Sequence, residues 1–215
     1  MSDDQTLRQE ITDLYRYSAG MGLNELSSGN LSCRHEDGML ISPKGASEES
    51  IAPELVVRVS LDGEWEGEIK PSAEWRMHAE VYKQHEEVQA VVHTHSDYCV
   101  ALSCQNQPLP GFHYLVGLFG GNDVPCVPYS TFGTEQLAEA ATAALGERSA
   151  CLLGNHGMIC RAENLKAAVD LAHCLEIMCR QYVLSRQMGE PSRLTDDQWT
   201  EFFDRLDKVN CGQYI

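Results

Sequence analysis

His93 and His95 stand one residue apart in the run VQAVVHTH (Val88 to His95), and chemistry first becomes visible at that spacing. Side chains alternate along a strand, so both imidazoles leave the same face with Cα atoms roughly 6–7 Å apart, within reach of one ion. Imidazole nitrogens bind zinc at about 2.0–2.1 Å, and a catalytic zinc usually takes three protein ligands and keeps one position for water or substrate. A third ligand is therefore required. His156, in the turn Gly154-Asn155-His156-Gly157, is the candidate, because glycines let a backbone approach an ion closely. Each histidine also has a plainer reading, as two satisfied imidazoles on a strand and a turn histidine facing water. Against it, imidazole nitrogens left bare on a buried strand carry a cost. His35, His78, His85, His113 and His173 lack comparable partners in the sequence.

Two carboxylates stand out. Pro71-Ser72 reads as a helix start with Ser72 as N-cap and the helix running to about His85, which puts Glu74 in the first turn. A glutamate there is usually a favourable charge near the dipole. The helix end and a nearby zinc would both lower its pKa, so service as a general base needs burial or release from the metal when substrate arrives. Glu176 falls within the apolar stripe Leu165, Val169, Ala172, Cys179 and Val183. It reads equally as an acceptor for the N–H of a metal-bound imidazole or as half of a buried ion pair. The loops Ser27-Ser28-Gly29-Asn30 and Ser42-Pro43-Lys44-Gly45 offer backbone N–H groups, hydroxyls and the point charge of Lys44. With Ser72 at a helix start they make three candidate anion contacts.

The elements that must position these groups belong to a chain of 215 residues, enough for one domain with a substantial core, residues 1–215. A formal charge of −16 repels nucleic acid and anionic lipid, so a phosphate-bearing partner must be a small molecule held in a local pocket. Nine scattered cysteines form no CxxC pair, which points to reduced thiols and a cytoplasmic location. No stretch approaches the ~20 apolar residues of a membrane span, and the N-terminal residues carry no export signal.

Periodicity predicts a helix over about Asp4 to Ala19, a hairpin around Glu36-Asp37-Gly38, and a second hairpin pairing Val56 to Leu61 with Glu64 to Ile69. Val88 to His95 reads as a covered central strand. Helices follow near Tyr98 to Cys104 and from Thr134 to Leu145, then strands at Ala150 to Leu153 and Met158 to Arg161. A long helix from about Glu163 to Met188 and a last one from about Asp196 to Val209, capped by Thr195, complete the chain. Hairpins outnumber helix crossovers, so the expected fold class is α/β with helices on both sides of a largely antiparallel sheet.

In chain order, SGNLSCR (Ser28 to Arg34), ISPKG (Ile41 to Gly45), KPSAEWRMH (Lys70 to His78), AVVHTHS (Ala90 to Ser96) and NHGMI (Asn155 to Ile159) resemble the class II aldolase/adducin family. His113 to Thr134 looks most like members acting on L-fuculose 1-phosphate and similar ketose 1-phosphates, which they cleave reversibly to dihydroxyacetone phosphate and a short aldehyde. The resemblance implies a three-layer α/β/α subunit in a homotetramer, one zinc per subunit on His93, His95 and His156, and Glu74 as an acid/base beside it. It implies phosphate contacts at Gly29, Asn30, Gly45 and Ser72, and Tyr114 as a proton donor reaching across a subunit boundary. Lys44 stands where those aldolases have a hydroxyl residue, and Ala73 where they have a second serine, so the pocket exchanges hydroxyl hydrogen bonds for a charge. The same scaffold serves aldolases of 5-deoxyribulose and methylthioribulose 1-phosphates, ribulose-5-phosphate 4-epimerases, dehydratases, decarboxylases and non-catalytic adducin-like modules. The tail Gln213-Tyr214-Ile215 either closes over the site, as tails can in this family, or frays.

Overall fold

The computed structural model describes residues 3–209, so Cys211 and the tail ending Gln213-Tyr214-Ile215 lie outside the described residues. Strands β1 (Asn30–His35) and β2 (Gly38–Ile41) form the expected hairpin, with Glu36 in the left-handed conformation at φ 50°. β3 (Val57–Ser60) extends it on one side, and β4 (Ala90–Thr94) pairs antiparallel with β1 on the other. Short β5 (Leu109–Pro110) and β6 (Asp123–Val124) pair only with each other. β7 (Cys126–Val127), β8 (Ala150–Leu153) and β9 (Gly157–Ala162) complete a seven-stranded sheet in the order β3-β2-β1-β4-β9-β8-β7, in which only β7 and β8 run parallel.

Alternation along the central strands sorts the core into two layers. Val92, Leu152, Met158 and Cys160 face α1 (Asp3–Gly20), α3 (Asp97–Ser103) and α5 (Leu165–Arg186). Val91, Cys151 and Ile159 face α2 (Trp75–Gln84) and α4 (Glu135–Leu145). The expected three-layer α/β/α arrangement results, with β4 buried at every position. Helix ends follow local chemistry: the Thr134 hydroxyl accepts from Leu137 N–H at 3.3 Å, and the Asn164 side chain accepts from Ala167 N–H at 2.8 Å. α6 (Asp196–Val209) opens on a reciprocal box in which Thr195 and Gln198 each cap the other's backbone N–H.

Three expectations are corrected. The second hairpin does not form: after β3 the chain makes a single bridge, Val59 to Trp65. β3 is the sheet edge, and the run Glu64 to Ile69 carries three glutamates with Trp65 and Ile69 each 40% exposed, so nothing rewards its pairing. Helix α2 begins later than Ser72, at Trp75, leaving Glu74 at the cap position with φ −102° and ψ 14°. Ser72 caps the preceding turn, its hydroxyl accepting from Glu74 N–H at 3.3 Å.

The third correction concerns Glu176. Among the described residues its carboxylate accepts no imidazole N–H and forms no ion pair; it takes the backbone N–H groups of Tyr98 and Cys99, both at 3.0 Å, at the start of α3. A carboxylate there satisfies orphan donors and complements the helix dipole. Glu176→Leu should therefore lower stability in urea unfolding by about 2–4 kcal/mol, two charge-assisted hydrogen bonds being lost in a partly buried turn. A change below about 0.5 kcal/mol would show that water replaces the carboxylate there.

Candidate functional site

The register of the two central strands builds the site. β4 and β9 pair so that His93 lies opposite Ile159 and Thr94 opposite Met158, which brings the turn before β9 to the end of β4 where His95 follows. His156 sits in that turn behind Asn155, a left-handed residue at φ 55°. Both flanking glycines are sterically required. A Cβ on Gly157 would lie 2.3 Å from the Thr94 carbonyl oxygen, and one on Gly154 would lie 2.7 Å from that of Val127. His93 shares the Val91 face of β4 and so points toward α2, from whose cap Glu74 arrives.

Glu74, His93, His95 and His156 each direct one ligand atom into a group in which all four atoms lie within 4.8 Å of one another. His93 Nε2 is 2.9 Å from Glu74 Oε2 and 2.9 Å from His95 Nε2, and His156 Nε2 is 3.2 Å from Glu74 Oε1. His93 Nδ1 is 2.8 Å from the Met158 carbonyl oxygen, which can only accept, so Nδ1 carries the hydrogen. In a neutral ring Nε2 is then a lone pair aimed at a carboxylate oxygen. Two acceptors then face each other in a buried site, and among the described residues Glu74 Oε1 has no hydrogen-bond donor. A divalent cation among these atoms would satisfy all of them, and three imidazoles with a carboxylate suit zinc. The residues fit a metal.

Without a metal the carboxylate and the imidazoles shift one another's proton affinity strongly. Burial alone would raise the Glu74 carboxyl, yet the imidazoles of His93 and His156 hold it well below the usual carboxylate range. Burial would lower His93, but Glu74 outweighs it and raises His93. His95 is pushed down to about 3 by burial and by the neighbouring imidazoles.

Behind Glu74 a line of buried polar groups runs away from the cluster. Asn30 Nδ2 donates to Glu74 Oε2 at 3.2 Å, and Asn30 Oδ1 lies 2.5 Å from His78 Nε2. His78 Nδ1 is 2.7 Å from the Ser32 hydroxyl, which is 2.8 Å from the Tyr82 hydroxyl. Asn30, Ser32, His78 and Tyr82 are all 3% exposed or less. The sequence reading set His78 aside; its signal lay in the spacing Glu74, His78, Tyr82 along one helix face against Asn30 and Ser32 on alternate strand positions. Burial pushes His78 down to about 3, so it is neutral.

The cluster opens into a cleft of about 590 Å³, lined by Gly29, Asn30, Lys44, Gly45, Ser72, Ala73, Glu74, His95 and His156 among others. The loop residues singled out from the sequence thus meet in one place, except Ser42, whose buried hydroxyl accepts from Leu31 N–H instead. Tyr129 and Phe132, which the sequence reading did not name, stand at the same cleft and are 59% and 64% exposed. Tyr114 is not brought there. It lies on a 3-10 turn, Tyr114–Phe119, stacked on His113 and 52% exposed.

The sequence pattern described as Class II Aldolase and Adducin N-terminal domain matches residues 9–183. The chain belongs to the class II aldolase and adducin family. A 5-methylthioribulose-1-phosphate/5-deoxyribulose-1-phosphate aldolase of Rhodospirillum rubrum is 41% identical over 200 residues, 93% of this chain and 90% of that one. An L-fuculose phosphate aldolase of Escherichia coli is 38% identical over 192 residues, 89% of each chain. A solved L-fuculose 1-phosphate aldolase superposes with a TM-score of 0.89 at 32% identity, covering 96% of this chain and 98% of that one.

For this class II aldolase the close backbone contact at Gly157 makes metal binding sensitive to one methyl group. Gly157→Ala should weaken Zn²⁺ binding by about 10-fold or more in a competition titration, because the turn must shift to clear Thr94. His78 sets an acid limit on folding. The unfolded chain takes up the proton near pH 6.5, whereas the folded one resists it down to about 3. Stability of metal-free protein should thus be flat with respect to His78 above about pH 6.5 and fall by up to about 1.4 kcal/mol per pH unit below it. Urea unfolding across pH 7 to 5, compared between wild type and His78→Gln, measures that share.

Proposed function

We propose that the protein is a zinc-dependent aldolase that reversibly cleaves a ketose 1-phosphate, L-fuculose 1-phosphate or a related 5-deoxy sugar phosphate, to dihydroxyacetone phosphate and a short aldehyde. One observation carries this reading: three imidazole nitrogens and the Glu74 carboxylate converge at the wall of a cleft that also collects Gly29, Asn30, Lys44, Gly45 and Ser72. The relatives described above, sugar-phosphate aldolases by name, supply the substrate class.

In this reading the phosphate is held by the loops around Gly29 and Gly45 and by the Ser72 hydroxyl. Lys44 is the sole lysine or arginine among the residues described as lining the cleft, so it supplies the local positive charge that a chain of net charge −16 otherwise lacks. A bound zinc would supply Lewis-acid polarisation of the substrate carbonyl. During cleavage the bond between C3 and C4 breaks, C4 becomes the aldehyde carbon as its hydroxyl loses a proton, and Glu74, having first taken up a proton, passes it to C3, so one proton is lost and one gained. In synthesis Glu74 removes that proton. As an anion in a buried site Glu74 is in the form needed to accept it.

Tyr114 is exposed and does not line this chain's own cleft. In a homotetramer with sites at subunit boundaries, a neighbour's copy of that tyrosine would exchange the proton on the C4 oxygen, so assembly is part of the proposed activity. Reduced thiols and the acidic surface suit a cytoplasmic enzyme, and among the described residues no helix is long and apolar enough to cross a membrane.

Chelator treatment should abolish turnover and Zn²⁺ should restore it, while borohydride with substrate should trap no lysine adduct. Glu74→Gln should lower kcat by roughly 10²–10⁴-fold in a coupled assay for dihydroxyacetone phosphate. Full turnover by metal-free protein would sink the reading. A panel of fuculose, ribulose, 5-deoxyribulose and methylthioribulose 1-phosphates identifies the sugar, and triose phosphate release separates cleavage from epimerisation.

A further inference from the structure

The polar line behind Glu74 has only one possible direction. An ionised carboxylate accepts and never donates, so the group of Asn30 facing Glu74 must be its NH₂. The Asn30 oxygen then faces His78 and must accept, which requires the hydrogen of the neutral imidazole to sit on Nε2. His78 Nδ1 is left as an acceptor and takes the Ser32 hydroxyl hydrogen, and Ser32 in turn accepts from Tyr82. Geometry permits this because two repeats match: alternate residues on β1 advance about 6.7 Å, and every fourth residue on α2 advances about 6 Å. Glu74, Asn30, His78, Ser32 and Tyr82 interleave like two combs, at a site where any mismatch would strand a buried polar atom.

We propose that His78 is a positioning residue for the metal site: as the Nε2–H tautomer it locks the Asn30 amide with its N–H on Glu74 Oε2, leaving Oε1 as the oxygen free to move a proton. The assignment rests on the proposed aldolase reading for its proton step, but its structural part does not. Among the described residues His78 does not line the cleft, and its ring nitrogens meet Ser32 and Asn30 rather than any of the four converging side chains; its effect passes through Asn30.

The test compares two substitutions. In His78→Gln the side-chain amide nitrogen occupies the place of Nε2 and can still donate to Asn30, whereas His78→Leu removes the donor. Zn²⁺ affinity of metal-free protein, measured by competition with a chromogenic chelator, should fall about 10-fold in His78→Leu and stay within about 3-fold of wild type in His78→Gln. In the aldolase assay, kcat should fall in His78→Leu with KM changed far less, and His78→Gln should restore most of it. Nitrogen-15 spectra of histidine-labelled, metal-free wild type should show His78 protonated at Nε2 alone, a readout that survives even if a variant fails to fold. Protonation of His78 at Nδ1, or equal Zn²⁺ affinity in the two folded variants, would overturn the proposal. A wild type that binds Zn²⁺ and shows the Nε2 tautomer yet turns over no ketose phosphate would sink the proposed function instead.

Discussion

The structure is organised around a buried carboxylate that can only accept. Glu74 sits at 6% exposure against three imidazoles, and every neighbour must present it with a proton or a cation. Asn30 does so on one side through an N–H. On the other side His93, when its ring is neutral, offers a lone pair, because its Nδ1 hydrogen is already committed to the Met158 carbonyl. In the neutral, metal-free form that mismatch costs energy, because Glu74 and His93 are buried away from water. The arrangement calls for a cation, either a metal ion or the proton of a charged His93 ring.

Such a cluster needs rigid support, which explains its place in the architecture. β4 and β9 are the two central strands, covered on both faces, and they carry or flank all three imidazoles. Glu74 enters from the helix layer at the cap of α2, where the backbone has not yet turned helical and the carboxylate can reach the sheet. Glu176, far along α5, steadies the start of α3 directly after His95. Groups from five separated stretches are thereby held by elements whose own positions are fixed by packing.

Much of this was legible in the sequence. The alternation of His93 and His95 with buried valines gave their common face, and the glycines around His156 gave a turn able to approach them, since both facts depend on local geometry. Three things were not legible. The start of α2 was read at Ser72 because a serine after proline is a common cap, whereas the chain makes a separate Ser72-capped turn before the helix begins. Glu176 was read as a partner for imidazole or cation because a carboxylate in an apolar stripe demands one; its partners are backbone N–H groups, which no side-chain pattern announces. His78 was passed over because its partners sit on a strand more than forty residues away, and only the pairing of β1 beside α2 reveals them.

The matched combs of β1 and α2 also bear on how this segment can drift over time. Substitutions between the rungs, at Arg76 or Glu80 outside the buried line, can be absorbed one at a time. An insertion or deletion of a single residue cannot, because it would rotate every later rung about 100° around the helix and strand several hydrogen-bonding groups at once. Gaps in related sequences should therefore collect in the connections, such as the loose edge after β3, and avoid the stretch between Glu74 and Tyr82 altogether.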